Sequence, residues 1–294
     1  MITITGSESF IGSRLAAALD SRGEQWTGID TIARHPRTRR ADIRDAAVAD
    51  GIAEAGTLVH LAAISRDSDC RQDPRGAFDV NVGGTLNLIE AARRRGVRHF
   101  VFASSEWVYG EVANDEVQRE DSPLDATRLV SEYALTKLAG ERLLAGAARR
   151  GDFASVTILR FGIVYGPRPS NWSAVEMLHD AVSHKDLVEV KGSLATARRF
   201  IHVEDICTGI LASVENAPAG FSVFNLSGDR LVSLGDVIEQ SMRLTNRRPR
   251  VIEGAPQSVS IRNPDNTKAR AALDWAPKLD LASGLATLSQ MVAA

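Results

Sequence analysis

Tyr133 and Lys137 lie four residues apart in a stretch whose composition favours a helix. Leucines recur through positions 131–144, and this segment contains no proline. Residues four apart share one face of a helix, so the phenol and the ammonium can reach the same pocket. A nearby cation lowers the pKa of a tyrosine, which can then accept a proton from a substrate hydroxyl. Taken alone, the same spacing also fits an exposed helix face.

A strand, a glycine turn and a helix are predicted at the start of the chain. Ile2–Thr5 alternates β-branched residues, and Gly6 follows at once. This order is typical of a dinucleotide site, where the pyrophosphate lies at the N-terminus of the helix. Serine replaces the middle glycine of the usual motif, and an ordinary strand-to-helix turn is the alternative. The predicted cofactor residues here are Gly6, Ser9, Phe10, Ile11 and Gly12.

An acidic residue is expected about twenty positions after the glycine turn. Asp30 ends a second predicted strand and can accept hydrogen bonds from the adenosine ribose. A carboxylate there disfavours a 2'-phosphate, so the sequence favours NAD over NADP, although Arg34 follows closely. Asp42 and Ile43 are candidates for contact with the adenine, with a turn and helix cap as the equal alternative.

Two further strands end in small or hydroxyl residues. Residues 57–60 form a short apolar strand, and the cofactor is expected to pass close to Leu61, Ala62 and Ala63. A helix follows from Asn81, itself a predicted cofactor residue, and the next strand ends at Ser104 and Ser105. This alternation predicts an α/β fold of the Rossmann type, with a doubly wound parallel sheet.

The bulk composition excludes several classes of function. The 294 residues carry a formal net charge of -2, which gives no basic footprint for nucleic acid or an anionic membrane. The two cysteines are too few for a disulfide framework and lack metal-ligand spacing, so no metal is predicted. Met1 leads directly into a strand and no apolar run has membrane-spanning length, so we expect a cytoplasmic protein.

These segments together resemble the extended short-chain dehydrogenase/reductases, in particular the NAD-dependent epimerase/dehydratase family that includes UDP-glucose 4-epimerase. The resemblance extends over almost the whole chain. The matching segments are Thr5–Gly12, Asp30, Asp42–Ile43, His60–Ala63, Asn81–Thr85, Ser104–Gly110, Tyr133–Lys137, Leu159–Pro167, Arg199–Asp205, Asn266–Arg270 and Trp275–Pro277.

The resemblance implies a catalytic trio of Ser105, Tyr133 and Lys137. Tyr133 would take a proton from a sugar hydroxyl while hydride passes to the nicotinamide, and Ser105 would hold that oxygen. Lys137 would bind the nicotinamide ribose and lower the pKa of Tyr133. The alternatives are a serine bonded to local backbone and a surface lysine.

The resemblance also implies the organisation of the chain. It predicts an NAD-binding domain at residues 1–167 and a smaller C-terminal substrate-binding domain, mainly residues 168–294, with a strand near 222–226 rejoining the main sheet. Homodimers of this family pair the helix around 81–92 with the Tyr133 helix. Ala91, Leu135 and Leu138 are candidates for that interface, or equally for ordinary core.

The reaction is predicted from the residues that follow Ser105. A dehydratase needs an acid and a base to eliminate water, and these positions hold Glu106 and Trp107. Tryptophan cannot act as a base, so we favour an epimerase that acts on a nucleotide sugar through a transient keto intermediate. The alternatives are an NAD(P)-dependent sugar or uronate dehydrogenase or reductase, a 4,6-dehydratase that uses Glu106, and, more remotely, a non-catalytic NAD-sensing protein.

The substrate end of the site is less well defined. Ile163 replaces an asparagine that contacts the substrate in many relatives, and it has no polar side-chain group. Arg198 and Arg262 are candidates for the diphosphate, since guanidinium groups bind phosphate through two hydrogen bonds. If they do not converge, a free sugar or uronate becomes the better substrate. The candidate substrate residues are Ser65, Glu106, Trp107, Arg198 and Arg262.

Overall fold

The computed structural model describes residues 1–289. Its strands are β1 (Ile2–Thr5), β2 (Trp26–Asp30), β3 (Thr38–Arg40), β4 (Thr57–His60), β5 (His99–Ser105), β6 (Val117–Gln118), β7 (Ser155–Phe161), β8 (Val164–Tyr165), β9 (Leu187–Val190), β10 (Ala197–Arg198), β11 (Ile201–His202), β12 (Gly220–Leu226), β13 (Val232–Ser233), β14 (Arg250–Glu253) and β15 (Asn263–Pro264). The α-helices are α1 (Phe10–Ser21), α2 (Asp67–Gln72), α3 (Pro74–Phe78), α4 (Thr85–Arg94), α5 (Glu132–Arg149), α6 (Ala174–His184), α7 (Val203–Asn216), α8 (Leu234–Thr245), α9 (Thr267–Leu273) and α10 (Leu281–Ser289).

A seven-stranded parallel sheet forms the centre of the molecule. Its strand order is β12-β7-β5-β4-β1-β2-β3, and every neighbouring pair is parallel. The order reverses at β1, because β2 lies on one side of it and β4 on the other. Such a reversal opens a crevice at the carboxyl ends of the strands. The predicted Rossmann-type fold is therefore confirmed.

Helices cover both faces of this sheet. Leucines of α1 pack with apolar residues of α7 and α9 on one face. Helices α4 and α5 cover the other face, where Leu88 and Leu144 are fully buried. Among residues 1–289, no helix is both long and apolar enough to span a membrane.

The C-terminal part of the chain is divided between two cores. The segment Gly220–Leu226 forms β12 and pairs with β7 in the central sheet, while α7 and α9 pack on the same large core. A smaller core joins α6, α8, α10 and β9, with Val182, Val188 and Val237 at its centre. Many of the residues after 168, including α7, β12 and α9, therefore pack with the central sheet and not in the smaller core.

Local hydrogen bonds fix where the site helices begin. Ser9 precedes α1 and its hydroxyl accepts a hydrogen bond of 3.1 Å from the Gly12 N–H, while Ser131 caps α5 through the Ala134 N–H at 3.2 Å. The helix predicted from Asn81 is interrupted. Asp79–Gly84 forms a π-helical turn before α4, and such turns often occur at functional sites.

Candidate active site

A large cavity opens at the carboxyl ends of the strands, across the point where the strand order reverses. It has a volume of about 1530 Å³. Pockets for one drug-sized ligand are roughly 300–1,000 Å³, so this cavity has room for an extended dinucleotide and a second molecule. The predicted site residues that line it are Gly6, Ser9, Phe10, Ile11, Asp30, Asp42, Ile43, Leu61, Ala62, Ala63, Ser65, Ser105, Trp107, Tyr133, Lys137 and Arg198.

The glycine turn leaves space for a close backbone approach. Gly6 has φ +72°, and a Cβ built there would lie 2.8 Å from the Ala62 backbone nitrogen. A Cβ on Gly12 would lie 2.0 Å from the Gly6 carbonyl oxygen, so Gly12 lets α1 pack directly against the turn. Ser9, Phe10 and Ile11 line the cavity, so the N-terminus of α1 faces it and fits a pyrophosphate.

Acidic residues surround the adenosine end of the cavity. Asp30 ends β2, and its carboxylate accepts hydrogen bonds from the backbone N–H groups of Glu8 at 3.0 Å and Ile32 at 3.2 Å. Asp42 accepts two hydrogen bonds of 3.0 and 2.6 Å from the Arg44 guanidinium and one of 2.9 Å from the Arg44 N–H. The side-chain bonds, and to a lesser extent the backbone bond, lower the pKa of Asp42. The carboxylates of Asp30 and Asp42 can therefore accept hydrogen bonds from the ribose and the base.

Ser105 and Tyr133 meet at the opposite end of the cavity. Ser105 ends β5, and its Oγ accepts a hydrogen bond of 3.3 Å from the Trp107 N–H. Tyr133, in the first turn of α5, is hydrogen-bonded to Ser105. Burial raises the pKa of Tyr133 to about 12 and outweighs the opposing effect of that hydrogen bond. The lowering that the Tyr–Lys spacing suggests is thus not present in this structure.

Lys137 lies one turn further along α5 and faces the same cavity. Its Nζ donates a hydrogen bond of 2.8 Å to the Ala103 carbonyl and lies 5.8 Å from the centroid of the Tyr133 ring. Burial lowers the pKa of Lys137 to about 8. Among the described residues no carboxylate forms an ion pair with its ammonium group.

Asn81 does not line the cavity but holds its wall. Its Oδ1 accepts a hydrogen bond of 2.8 Å from the Ile64 N–H, and its Nδ2 donates to the Ile64 carbonyl at 2.9 Å and to Thr136 at 3.1 Å. These bonds join the loop after β4 to α5. The structure therefore places Asn81 as a support for the residues that face the cofactor.

The two predicted arginines converge near Trp107. Arg198 lines the cavity, and its guanidinium donates to the Ser260 carbonyl at 2.6 Å. Arg262 does not line it: the guanidinium lies 4.2 Å from the Trp107 ring centroid and is covered by that ring. The positive charges of Arg198 and Arg262 both act to lower the pKa of Glu106.

Glu106 is buried beneath this wall and is outside the cavity lining. It is only 1% exposed, and neither carboxylate oxygen has a hydrogen-bond partner among the described residues. Burial raises the pKa of Glu106 to about 7, although Arg198 and Arg262 oppose the shift. The side chain as placed cannot touch a substrate, so the prediction of direct contact for Glu106 and Arg262 disagrees with the structure.

Sequence analysis missed two acidic residues. Glu8 lines the cavity between Gly6 and Asp30, and a charged residue inside the glycine turn was the available signal. Glu141 on α5 forms a buried ion pair with Arg160 at 2.8 Å and accepts a hydrogen bond of 2.6 Å from Ser104. Nothing in the local pattern around Glu141 pointed to this role. No cluster of three or more possible metal ligands occurs among residues 1–289.

Comparison with known proteins agrees with this arrangement. The family model described as the NAD dependent epimerase/dehydratase family matches residues 2–227, which is most of the chain. The chain belongs to this family. Within this epimerase/dehydratase family, a solved structure of MoeE5 in complex with UDP-glucuronic acid and NAD is 30% identical, with a TM-score of 0.89. The similarity covers 99% of this chain and 98% of that one.

Two curated relatives in the epimerase/dehydratase family differ in their reactions. A UDP-glucuronate 4-epimerase of Thermodesulfobacterium geofontis is 25% identical, over 96% of this chain and 93% of the relative. A dTDP-glucose 4,6-dehydratase of Streptomyces griseus is 29% identical, over 97% and 92%. Both relatives act on nucleotide sugars according to their names, but similarity at this level does not choose between epimerisation and dehydration.

Proposed function

We propose that this protein is an NAD-dependent epimerase that acts on a nucleotide sugar through a transient keto intermediate. The observation that carries this proposal is the convergence of Ser105, Tyr133 and Lys137 at one end of a cavity shaped for a dinucleotide. The family membership and the nucleotide sugars named for its relatives support the same substrate class.

The cofactor would lie across the reversal of strand order. The α1 N-terminus would face its pyrophosphate, Asp30 its adenosine ribose and Lys137 its nicotinamide ribose. When bound, the nicotinamide accepts hydride from the sugar carbon and returns it. The Tyr133 phenolate oxygen takes the hydroxyl proton and later gives it back, while the Ser105 hydroxyl holds the sugar oxygen. The carbon would be inverted if the hydride came back to the other face of the keto group.

Trp107 supports epimerisation over elimination. Its indole lines the cavity directly after Glu106, where a dehydratase would require a second group that transfers protons. Glu106 has no accessible oxygen in this structure. Arg198 lines the cavity on this side, and its guanidinium favours an anionic nucleotide sugar over a free sugar.

The test is a turnover assay on the purified protein. Released small molecules are identified by mass spectrometry, and the protein is then incubated with UDP-glucose, UDP-glucuronic acid or dTDP-glucose. We expect bound NAD and interconversion of 4-epimers without net formation of NADH. Stoichiometric NADH with oxidised product would establish a dehydrogenase, a 4-keto-6-deoxy product would establish a dehydratase, and either result would overturn the proposal.

We also propose that two copies associate through α4 and α5. Leu86 and Leu135 are 45% and 41% exposed on these adjacent helices, whereas Ala91 and Leu138 are buried within the monomer and are core residues. Light scattering after gel filtration should give the mass of a dimer, and Leu135→Arg should give a monomer. A monomeric unmodified protein would contradict this assembly.

A further inference from the structure

A second carboxylate, that of Glu8, stands beside Asp30 at the adenosine end of the cavity. Glu8 belongs to the glycine turn, and its backbone N–H donates to Asp30 Oδ2 at 3.0 Å. Both residues line the cavity. A ribose held by Asp30 would therefore lie near two negative charges, not one.

Contacts with the loop after β2 fix the position of the Glu8 side chain. Its Oε1 accepts a hydrogen bond of 3.0 Å from the His35 N–H. His35 is anchored in turn, because its ring lies 4.8 Å from that of Trp26. Burial raises the pKa of Glu8, but hydrogen bonds from His35, Thr38 and the Arg34 backbone, together with the Arg34 charge, outweigh this and lower it. Glu8 is thus an anion at neutral pH.

Arg34 is the one residue of this loop that argues for NADP. It lines the same cavity, and a guanidinium there would pair well with a 2'-phosphate. In the structure, however, the Glu8 carboxylate is held beside this loop by its hydrogen bond from the His35 N–H. A 2'-phosphate that approached Arg34 would also come close to the Glu8 carboxylate, and the two negative charges would repel each other.

We propose that Glu8 is a second determinant of cofactor choice, which disfavours NADP because its anchored carboxylate repels a 2'-phosphate beside Asp30 and Arg34. The inference rests on the proposed binding of NAD and extends it to a residue of the turn other than Gly6 and Gly12. It assigns the two acids different tasks. Asp30 accepts hydrogen bonds from the ribose, whereas Glu8 repels a phosphate that would otherwise pair with Arg34.

A competition experiment tests this assignment without measuring turnover. The purified protein is equilibrated with equal excess NAD⁺ and NADP⁺, and the retained dinucleotides are quantified by mass spectrometry after gel filtration. Glu8→Gln keeps an acceptor for the His35 N–H but removes the charge. We expect it to raise the retained NADP-to-NAD ratio about tenfold, and Arg34→Ala in the Glu8→Gln background to remove the gain.

The control is Glu24→Gln, which changes the net charge equally at the opposite end of β2 and should leave the ratio unchanged. A ratio unchanged in Glu8→Gln, or a gain that survives Arg34→Ala or also occurs in Glu24→Gln, would overturn the role of Glu8 while NAD binding stands. If the unmodified protein retains neither dinucleotide, both this inference and the proposed cofactor fail.

Discussion

Tyr133 depends on its surroundings for a usable acidity. Burial raises its pKa to about 12 in this structure, so the ammonium of Lys137 and the hydrogen bond from Ser105 must act at close range to make it a base. A bound nicotinamide, which carries a positive charge in its oxidised form, adds to that effect. The phenol oxygen is the one proton acceptor that the proposed reaction assigns to a side chain.

Replacement of Tyr133 by phenylalanine should remove this acceptor and preserve the fold. General acid–base catalysis typically contributes 10²–10⁴-fold, so we expect epimerisation to slow by about a thousandfold. The rate is measured by separating the two sugar epimers, and bound NAD serves as the control for an intact site. Turnover within tenfold of the unmodified protein would show that another group accepts the proton.

Glu106 provides a prediction about pH. Its pKa is about 7 in the folded chain against an ordinary 4.5, so the unfolded chain releases this proton first as pH rises. The free energy of unfolding should therefore fall as the pH rises from 4.5 to 7, and the total loss above pH 7 should be on the order of 3 kcal/mol. Glu106→Gln removes the penalty because a neutral amide replaces the buried acid.

Chemical denaturation at pH 5 and pH 8 measures this effect. The stability of Glu106→Gln relative to the unmodified protein should be greater at pH 8 than at pH 5. Glu90→Gln, at an exposed position on α4, is the matched control and should show no such difference. An equal effect of Glu106→Gln at both pH values would mean that the carboxyl group is not neutralised by burial.

At the scale of elements, the π-helical turn before α4 is what connects the cofactor wall to the catalytic helix. It turns Asn81 so that one amide satisfies both backbone groups of Ile64 and reaches Thr136 on α5. Gly84 closes this turn, and a Cβ there would lie 2.6 Å from the Ile43 side chain. The same turn therefore contacts both the adenosine side and the catalytic side of the cavity.

Asn81→Ala should weaken the packing of both the adenosine side and the catalytic side of the cavity. It leaves the Ile64 N–H without its partner and the Ile64 carbonyl with only the weak Cys70 thiol donor, and a buried unsatisfied group costs about 1–3 kcal/mol. We expect a loss of about 2–4 kcal/mol in the free energy of unfolding, together with weaker retention of NAD. Thr136→Val removes the bond from Asn81 to α5, together with the bond from the Thr136 hydroxyl to the Tyr133 carbonyl within the helix, and should cost less. If both variants lose the same stability, the bonds to Ile64 contribute nothing.

Local pattern explains which elements could be predicted. The Gly6 turn, the end of β2 at Asp30 and the spacing of Tyr133 and Lys137 depend on residues close in sequence, and the structure places all of them on the cavity. The tether from Asn81 and the burial of Glu106 depend on residues far away in the chain. Periodicity carries no information about such partners, so a continuous helix and a direct substrate contact were expected there.

At the scale of the whole molecule, one buried polar network joins the catalytic helix to the sheet. Glu141 on α5 accepts two hydrogen bonds from Arg160 on β7, at 3.0 and 2.8 Å. The Arg160 guanidinium also donates to the Tyr109 hydroxyl at 3.1 Å, which in turn donates to Asn225 on β12 at 2.7 Å. Both Glu141 and Arg160 are almost fully buried, at 2% and 3% exposure.

Breaking this ion pair on one side should be far more damaging than removing it entirely. Glu141→Ala leaves the Arg160 charge buried and uncompensated, which typically costs about 3–5 kcal/mol. Replacing both partners, as in Glu141→Leu with Arg160→Met, leaves no charge to solvate, so the double variant should be more stable than Glu141→Ala. Denaturant unfolding of the single and double variants measures the difference. Additive losses would mean that the two residues act independently.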